Sequence, residues 1–275
     1  MRFVKLEALG NDFILLECAE RPSECAALVR SLCDRKRGAG ADGVLLALPG
    51  EGAADARVEI WNADGSEAEI SGNGVRCAAR WLADARPAAA PSGDAFRSLT
   101  ISTRSGVVSV NVPRDARGGI RIPLGEPRLR PDEIPMRAPG ERFIESRLDG
   151  VPIPVTALSL GNPHAVLFVD GPVAAARYGP LIESHALFPA RTNVEFVRVV
   201  ARDHLLVLVW ERGVGPTASS GTGAAAALAA AVLTGRAERC ARIEMEGGTF
   251  DAGWDESGVW TEGPAREVYR GDWLG

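Results

Sequence analysis

Ser71-Gly72-Asn73-Gly74 returns 149 residues later as Ser220-Gly221-Thr222-Gly223. Each segment precedes an apolar stretch that we predict to be a helix, over Val75–Ala85 and over Ala224–Thr234. Glycines beside a serine are typical of a tight turn that leads into a helix. Because backbone N–H groups at a helix start attract negative charge, each turn indicates a site for an anion such as a carboxylate.

Other segments repeat in the same order at nearly the same distance. Leu9-Gly10-Asn11 returns as Leu160-Gly161-Asn162 at an offset of 151, and Trp61 returns as Trp210 at an offset of 149. Several blocks in one order at a nearly constant offset indicate two homologous halves. We predict an N-terminal half over residues 1–119, completed by a C-terminal strand within 264–275, and a C-terminal half over 120–263.

Strand patterns outnumber helical ones along the chain. Short runs that are apolar or alternate with polar residues, bounded by Gly, Pro, Asn and Asp, predict strands. The predicted strands are Arg2–Leu6, Phe13–Glu17, Gly43–Leu48, Val58–Trp61, Leu99–Thr103, Val107–Val112, Ala165–Val169, Val194–Val200 and Leu205–Val209. A third helix is predicted over Pro22–Arg35. Many strands with a few long, buried helices favour an α+β fold.

Composition argues against several classes of protein. The net charge of −5 does not suit a nucleic-acid-binding surface, and no apolar run reaches the roughly 18 residues of a membrane span. Five cysteines without metal-binding spacing indicate a reducing, cytoplasmic location, and three histidines give no sign of a metal site. Neither Lys5 nor Lys36, the only lysines, favours a pyridoxal phosphate Schiff base, so we expect no cofactor.

The duplication suggests a specific chemistry. Two equivalent turns of a duplicated fold are expected to flank one substrate from opposite sides of a shared cleft. A group at one turn removes a proton from a carbon and a group at the other returns a proton to the opposite face, which inverts the stereocentre. The helix starts stabilise the charge that develops on the substrate carboxylate. Each turn would then contribute one of the two proton-transfer groups.

A set of polar residues lies near the two turns. A single Asn or Asp is usually a turn or capping residue, and we interpret Asp64-Gly65 in that way. Glu211-Arg212 differs, because it follows the apolar run Leu205–Trp210 where a strand should end. A Glu-Arg pair there is either a structural ion pair or a clamp for an ammonium and a carboxylate. Beside the second turn we favour the clamp.

Eight segments resemble the diaminopimelate epimerase family, in the family's order and spacing. They are Gly10-Asn11-Asp12-Phe13, Gly40-Ala41-Asp42-Gly43, Trp61-Asn62-Ala63-Asp64-Gly65-Ser66-Glu67-Ala68-Glu69, Gly72-Asn73-Gly74-Val75-Arg76-Cys77, Gly161-Asn162-Pro163-His164, Arg191-Thr192-Asn193-Val194-Glu195-Phe196, Glu211-Arg212-Gly213 and Gly221-Thr222-Gly223. The resemblance implies two pseudo-symmetric halves, each a strand layer wrapped around a central helix, with the active site between them. It also implies a cofactor-independent isomerase of an amino acid, which is often a homodimer.

The resemblance implies which residues hold the substrate. Side chains of one set surround it, and backbone amides at the two helix starts hold the reacting carboxylate. The side chains are Asn11, Asn62, Asn162, Asn193, Glu211 and Arg212, and the amides belong to Gly72, Asn73, Gly221 and Thr222. His164 is expected to have a structural role.

The chain departs from the family where the two catalytic cysteines are expected, because Ser71 and Ser220 stand there. Pro216 also stands where many members carry Glu. A serine hydroxyl acts as a base only if another group takes its proton. Three explanations remain open: serines introduced into an epimerase, a natural isomerase that uses Glu211 or Glu69 as its base on another substrate, and a non-catalytic amino-acid-binding homologue.

Overall fold

The computed structural model describes residues 1–68, 71–85, 96–115, 118–171 and 175–275. Two compact units divide the chain: Met1–Ile122 with Glu262–Gly275, and Pro123–Thr261. Each unit combines strands with helices, as the sequence predicted for the fold class.

The first unit contains most of the N-terminal elements. They are β1 (Arg2–Ala8), β2 (Asn11–Glu17), α1 (Cys25–Cys33), β3 (Gly43–Pro49), β4 (Ala56–Asn62), β5 (Glu67–Ala68), α2 (Gly72–Ala85), β6 (Phe96–Thr103), β7 (Gly106–Pro113) and β8 (Ile120–Gly125), whose last residues pass into the second unit. Pairing runs β1–β2 antiparallel, β2–β3 parallel, β3–β4 antiparallel, β4–β6 parallel and β6–β7 antiparallel.

The second unit repeats this sequence of elements. They are β9 (Ser146–Leu148), β10 (Val151–Ser159), β11 (Pro163–Phe168), α3 (Ala175–Glu183), β12 (Asn193–Ala201), β13 (His204–Glu211), β14 (Gly215–Thr217), α4 (Gly221–Leu233), β15 (Cys240–Met245), β16 (Gly248–Asp255) and β17 (Gly258–Gly263), and the chain closes with β18 (Arg266–Asp272) in the first unit. Strands β10 to β16 pair with the same directions as β1 to β7. The duplication visible in the sequence is therefore a duplication of topology.

A central helix lies against the strands of each unit. Helix α4 contacts β10, β11, β12, β13, β15 and β16, and α2 contacts β1, β2, β3, β4, β6, β7 and β18. The run Ala224–Ala231 is completely buried, because alanine side chains are small enough for strands to approach on every side. This agrees with the all-round apolar pattern of the predicted helix.

Helix α3 was not predicted from the sequence. It carries Gly179 and Pro180, two residues that normally argue against a helix interior. The glycine is required by packing, since a Cβ at position 179 would lie 2.5 Å from the ring of Trp210. Tertiary contact with Trp210 therefore outweighs the weak helix propensity of this segment.

We expect Gly179→Ala to destabilise the protein by about 1–3 kcal/mol, because the new methyl group overlaps the Trp210 ring. On helix propensity alone, the same change would stabilise a helix by about 1 kcal/mol. Gly171→Ala is a control, since nothing lies within 4 Å of a Cβ at that position. Urea unfolding measures both variants, and a stabilised Gly179→Ala protein contradicts the packing argument.

Candidate active site

Strand ends of the first unit bring two predicted residues to one edge of the sheet. Gly43 of β3 pairs with Phe13 of β2 and with Asn62 of β4, so Asn11, two residues before Phe13, and Asn62 lie at the same edge of the sheet, on strands that flank β3. Asn11 donates from Nδ2 to Oδ2 of Asp42 over 2.9 Å. That bond uses one of the two amide hydrogens, and the amide oxygen has no partner in the described residues and can accept from a ligand. Nδ2 of Asn62 is likewise bound, by Oγ of Ser66 at 3.0 Å.

Ser71 caps the start of α2. Its Oγ accepts the backbone N–H of Gly74 at 3.1 Å, and its carbonyl accepts the N–H of Val75 at 2.8 Å. The side chain is half-buried, and the positive end of the helix dipole lies beside it, at Gly72 and Asn73. Glu69, the other proposed carboxylate base, lies outside the described residues.

Ser220 caps α4 with the same geometry. Its backbone is extended, and its Oγ accepts the N–H of Gly223 at 3.1 Å. Gly221 is buried and Thr222 is half-buried at the first two positions of the helix. Both helix starts therefore offer the arrangement of amides and dipole that suits an anion.

The Ser220 hydroxyl is near enough to the Glu211 carboxyl to affect its pKa, although the two groups form no hydrogen bond of ordinary geometry in the described residues. Burial raises the pKa of Glu211, and the hydroxyl groups of Thr217 and then Ser220 oppose that shift. The Thr217 hydroxyl is close enough to act in this way, but it forms no hydrogen bond of ordinary geometry within the described part of the chain. A buried carboxylate with a raised pKa is a stronger base than an exposed one, so Glu211 is suited to take a proton.

The first unit has a different neighbour at the matching place. The offset of 149 residues that relates the two serines relates Glu211 to Asn62, which has no basic group. Within the described residues, the two serines are therefore chemically inequivalent although their backbone settings match.

A buried chain of polar groups lies beneath the start of α4. Nδ1 of His164 is 2.7 Å from Oε1 of Glu195, and both side chains are completely buried. Nε2 of His164 is 2.9 Å from Oδ1 of Asn162, whose Nδ2 is 3.4 Å from Oγ1 of Thr222. The sequence had suggested a structural role for His164 and had given no role to Glu195. A signal was present, since Asn193-x-Glu195 places two polar residues on one face of an otherwise apolar strand.

Asn193 and Arg212 meet where β13 ends. Oδ1 of Asn193 accepts the backbone N–H of Arg212 at 2.9 Å, while its Nδ2 donates to the carbonyl of Pro163 at 3.0 Å. Both ends of this amide bind other parts of the protein, so Asn193 fixes the position of Arg212 relative to Pro163. The guanidinium of Arg212 reaches the carbonyl of Ala190 at 3.3 Å.

Glu183 fixes the turn that carries Arg212. It accepts hydrogen bonds from Nε1 of Trp210 at 2.8 Å, from the N–H of Gly213 at 2.8 Å and from Arg191 at 3.1 Å. Sequence reasoning missed this residue because the helix that ends with it was not predicted. Glu211 and Arg212 do not form an ion pair with each other within the described residues, which leaves the clamp interpretation open to them.

Two aspartates of the quoted segments have structural partners. Oδ1 of Asp12 accepts from Arg35 at 2.8 Å, Oδ1 of Asp42 accepts from the same guanidinium at 2.7 Å, and Lys5 contacts Asp12 from a buried position. Burial alone would raise the pKa of Asp12, but the hydrogen bonds from Arg35 and Lys5 outweigh it and lower that pKa to about 2. This cluster ties the start of β2 to the segment that leads into β3.

The Asp12 carboxylate should stabilise the fold at neutral pH. Because its folded pKa is about 2 and its reference value is 3.8, the stabilisation is present above pH 4 and is lost as the pH falls toward 2. We expect Asp12→Asn to lower the free energy of unfolding by about 2 kcal/mol at pH 7, and the difference from wild type to shrink below pH 4. Denaturant titrations from pH 3 to 7 measure it, with the exposed Asp149→Asn as the control. A difference that does not depend on pH contradicts the assignment.

Two general features of the described residues bear on function. They contain no cluster of three or more His, Cys, Asp or Glu side chains arranged to hold a metal ion. None of the helices in the described ranges has the length and apolar character of a membrane span.

Comparison with known proteins places the chain in a family. The sequence profile described as diaminopimelate epimerase matches residues 3–129 and 156–268. The diaminopimelate epimerase of Desulforudis audaxviator is 44% identical, covering 100% of this chain and 99% of that protein. That of Synechococcus elongatus is 43% identical, covering 98% and 97%.

Solved structures agree on the fold. A predicted epimerase from Pseudomonas aeruginosa superimposes with a TM-score of 0.71 at 17% identity, covering 100% of this chain and 99% of that one. A probable proline racemase from Agrobacterium radiobacter gives a TM-score of 0.69 at 18% identity, covering 99% and 92%. The expected fold is confirmed, and the named relatives are isomerases of the epimerase and racemase class. The chain therefore belongs to the diaminopimelate epimerase family.

Proposed function

We propose that the protein is an epimerase that inverts the α-carbon of LL-diaminopimelate to give meso-diaminopimelate, by two-base proton transfer and without a cofactor. The observation that carries this proposal is the repeated serine-capped helix start, with Gly74 and Gly223 as the capped residues. In the second unit this start lies beside Asn162, since Nδ2 of Asn162 is 3.4 Å from Oγ1 of Thr222. Membership of the epimerase family supports the same reaction.

The proposed reaction needs a stabilised carbanion. Removal of the α-proton shifts negative charge onto the substrate carboxylate, and the amides of Gly72-Asn73 and Gly221-Thr222 are arranged to receive that charge. One proton leaves on one face and another arrives on the opposite face, at positions 71 and 220. No net oxidation takes place, so the chemistry requires proton donors and acceptors alone.

Orientation of side-chain amides supports an amino acid as ligand. Asn11 presents its amide oxygen, which suits an ammonium group, because its nitrogen is held by Asp42. Asn162 presents its NH2 group, which suits a carboxylate, because its oxygen is held by His164. Glu211 and Arg212 offer opposite charges, which suit the ammonium and the carboxylate of an amino acid.

Ser220 has a proton acceptor beside it, and this bears on how serine could act. The Glu211 carboxyl is near the Ser220 hydroxyl, so in the proposed reaction that carboxylate takes the hydroxyl proton or accepts the α-proton directly. Asn62, the matching residue of the first unit, offers no such acceptor. Proton transfer on the Ser220 side is therefore the better supported half of the reaction.

Deuterium incorporation at the α-carbon tests the proposal. We compare LL- and meso-diaminopimelate in D2O. We expect faster exchange for the isomer whose α-proton points toward position 220, since Glu211 serves that side. Glu211→Gln should abolish this exchange. If Ser71→Ala is harmless and Glu211→Gln is inactive, a carboxylate-based isomerase is the better description. Binding by calorimetry without any exchange identifies an amino-acid-binding homologue instead.

Thiols at the two proton-transfer positions should raise the activity. A cysteine at a helix start has a pKa near or below about 8.5, so a thiolate is available at neutral pH, whereas a serine hydroxyl is far less acidic. We expect Ser71→Cys combined with Ser220→Cys to increase α-proton exchange on the order of 10²-fold. The control is Ser71→Ala combined with Ser220→Ala. A double cysteine variant that binds substrate and exchanges no proton rules out the assignment of these positions.

Family resemblance also suggests the setting of the reaction. We propose a cytoplasmic homodimer that acts in lysine biosynthesis. Light scattering on the purified protein measures the assembly, and a monomer at micromolar concentration rejects that part of the proposal.

A further inference from the structure

The buried groups beneath α4 form one chain with a direction. Oε1 of Glu195 meets Nδ1 of His164, Nε2 of His164 meets Oδ1 of Asn162, and Nδ2 of Asn162 meets Oγ1 of Thr222. An amide oxygen accepts hydrogen bonds and never donates, so Nε2 of His164 must carry a hydrogen. The amide of Asn162 then has its NH2 group on the side of Thr222.

Glu195 determines whether Nε2 of His164 can donate a hydrogen bond to the Asn162 oxygen. If Nδ1 held the single hydrogen of a neutral ring, Nε2 would be a lone pair and would repel the Asn162 oxygen. One hydrogen shared between Glu195 and Nδ1 removes this conflict, since the ring then carries a second hydrogen on Nε2. The pair is fully buried, and burial raises the pKa of the Glu195 carboxyl, which favours keeping that shared hydrogen.

The surroundings of Glu195 indicate a role beyond packing. Its Oε2 is buried and has no hydrogen-bond partner in the described residues. An isolated buried carboxyl oxygen is costly, so a chain that needed only to fill the space would be better served by an apolar side chain. Glycine at position 223 leaves room for the Glu195 carboxyl. A Cβ on residue 223 would lie only 3.1 Å from Oε1 of Glu195.

The first unit has apolar side chains where the second unit has the buried His–Glu pair. At the positions matching His164 and Glu195 it carries Phe13 and Leu45, and Leu45 lies beneath Gly74 as Glu195 lies beneath Gly223. The same fold thus forms without the buried polar pair. In that unit Asp42 holds the asparagine by its nitrogen, which gives Asn11 the opposite orientation.

We propose that Glu195 is a positioning residue for Asn162: through His164 it holds the Asn162 amide with the NH2 group directed at Thr222 and at a bound carboxylate. The hydrogen-bond directions follow from the placement of the Asn162 oxygen beside Nε2 of His164. The bound carboxylate rests on the proposed function, so the test has one part that needs no ligand.

The part without ligand uses nitrogen-15 NMR of the histidine rings in the full-length protein. The chain has three histidines, so His185→Gln and His204→Gln variants assign the His164 signals by elimination. We expect a hydrogen on Nε2 of His164 from pH 6 to 8, in wild type and in Glu195→Gln, because a glutamine N–H also donates to Nδ1. A bare Nε2 in the wild-type protein overturns the proposal, because the Asn162 amide would then face the other way.

The second part measures calorimetric binding of meso-diaminopimelate. We expect Glu195→Gln to stay within about threefold of wild type and Glu195→Leu to weaken binding about tenfold or more, because a misdirected amide opposes a charged acceptor. In an Asn162→Ala background, Glu195→Leu should weaken binding no further. If Glu195→Leu weakens binding equally in the wild-type and Asn162→Ala backgrounds, Glu195 has a general structural role and the proposal is overturned.

The two parts separate failure of the inference from failure of the proposed function. If wild type binds no diaminopimelate, the substrate assignment fails and the NMR result alone decides the role of Glu195. If Glu195→Leu does not fold, thermal unfolding will show it, and the retained or lost Nε2 hydrogen in wild type and Glu195→Gln still decides.

Discussion

Close approach of a helix start to a strand is the constraint on which each half-site depends. At Gly74 a Cβ would lie 3.2 Å from Leu45, and at Gly223 it would lie 3.1 Å from Glu195. A larger residue would push the helix outward and move its first amides away from the strand ends. The glycine therefore sets how near the capping serine stands to the polar side chains, and this explains why glycine occurs third after serine in both turns.

Duplication of this arrangement did not preserve its chemistry. Both units keep the cap, the helix dipole and an asparagine at the start of the second strand. Beneath the helix they differ, because one unit has Phe13 and Leu45 where the other has His164 and Glu195. A repeated backbone thus presents a carbonyl oxygen from Asn11 and an NH2 group from Asn162.

Sequence alone predicted the features that depend on local pattern. Strands β1 to β4, β6, β7 and β11 to β13, the two turns and the buried helix after Ser220 follow from apolar periodicity and from glycine placement. Helix α3 was missed because Gly179, a weak helix former, is required there by its contact with Trp210, a residue distant in sequence. The orientation of Asn162 was also inaccessible, since it depends on His164 and Glu195 from two separate strands. Residue types were visible in the sequence, but the direction of each hydrogen bond was not.

Serine at positions 71 and 220 balances two physical demands. As a helix cap, serine accepts an N–H from the first turn and stabilises it by about 1 kcal/mol, whereas cysteine is a weak acceptor. As a proton-transfer group, a thiol is superior because it ionises near neutral pH. The hydroxyls therefore favour a well-ordered helix start over a reactive one, and the anion-binding geometry persists. In the proposed reaction a serine therefore needs a neighbouring proton acceptor, and the Glu211 carboxyl is near Ser220.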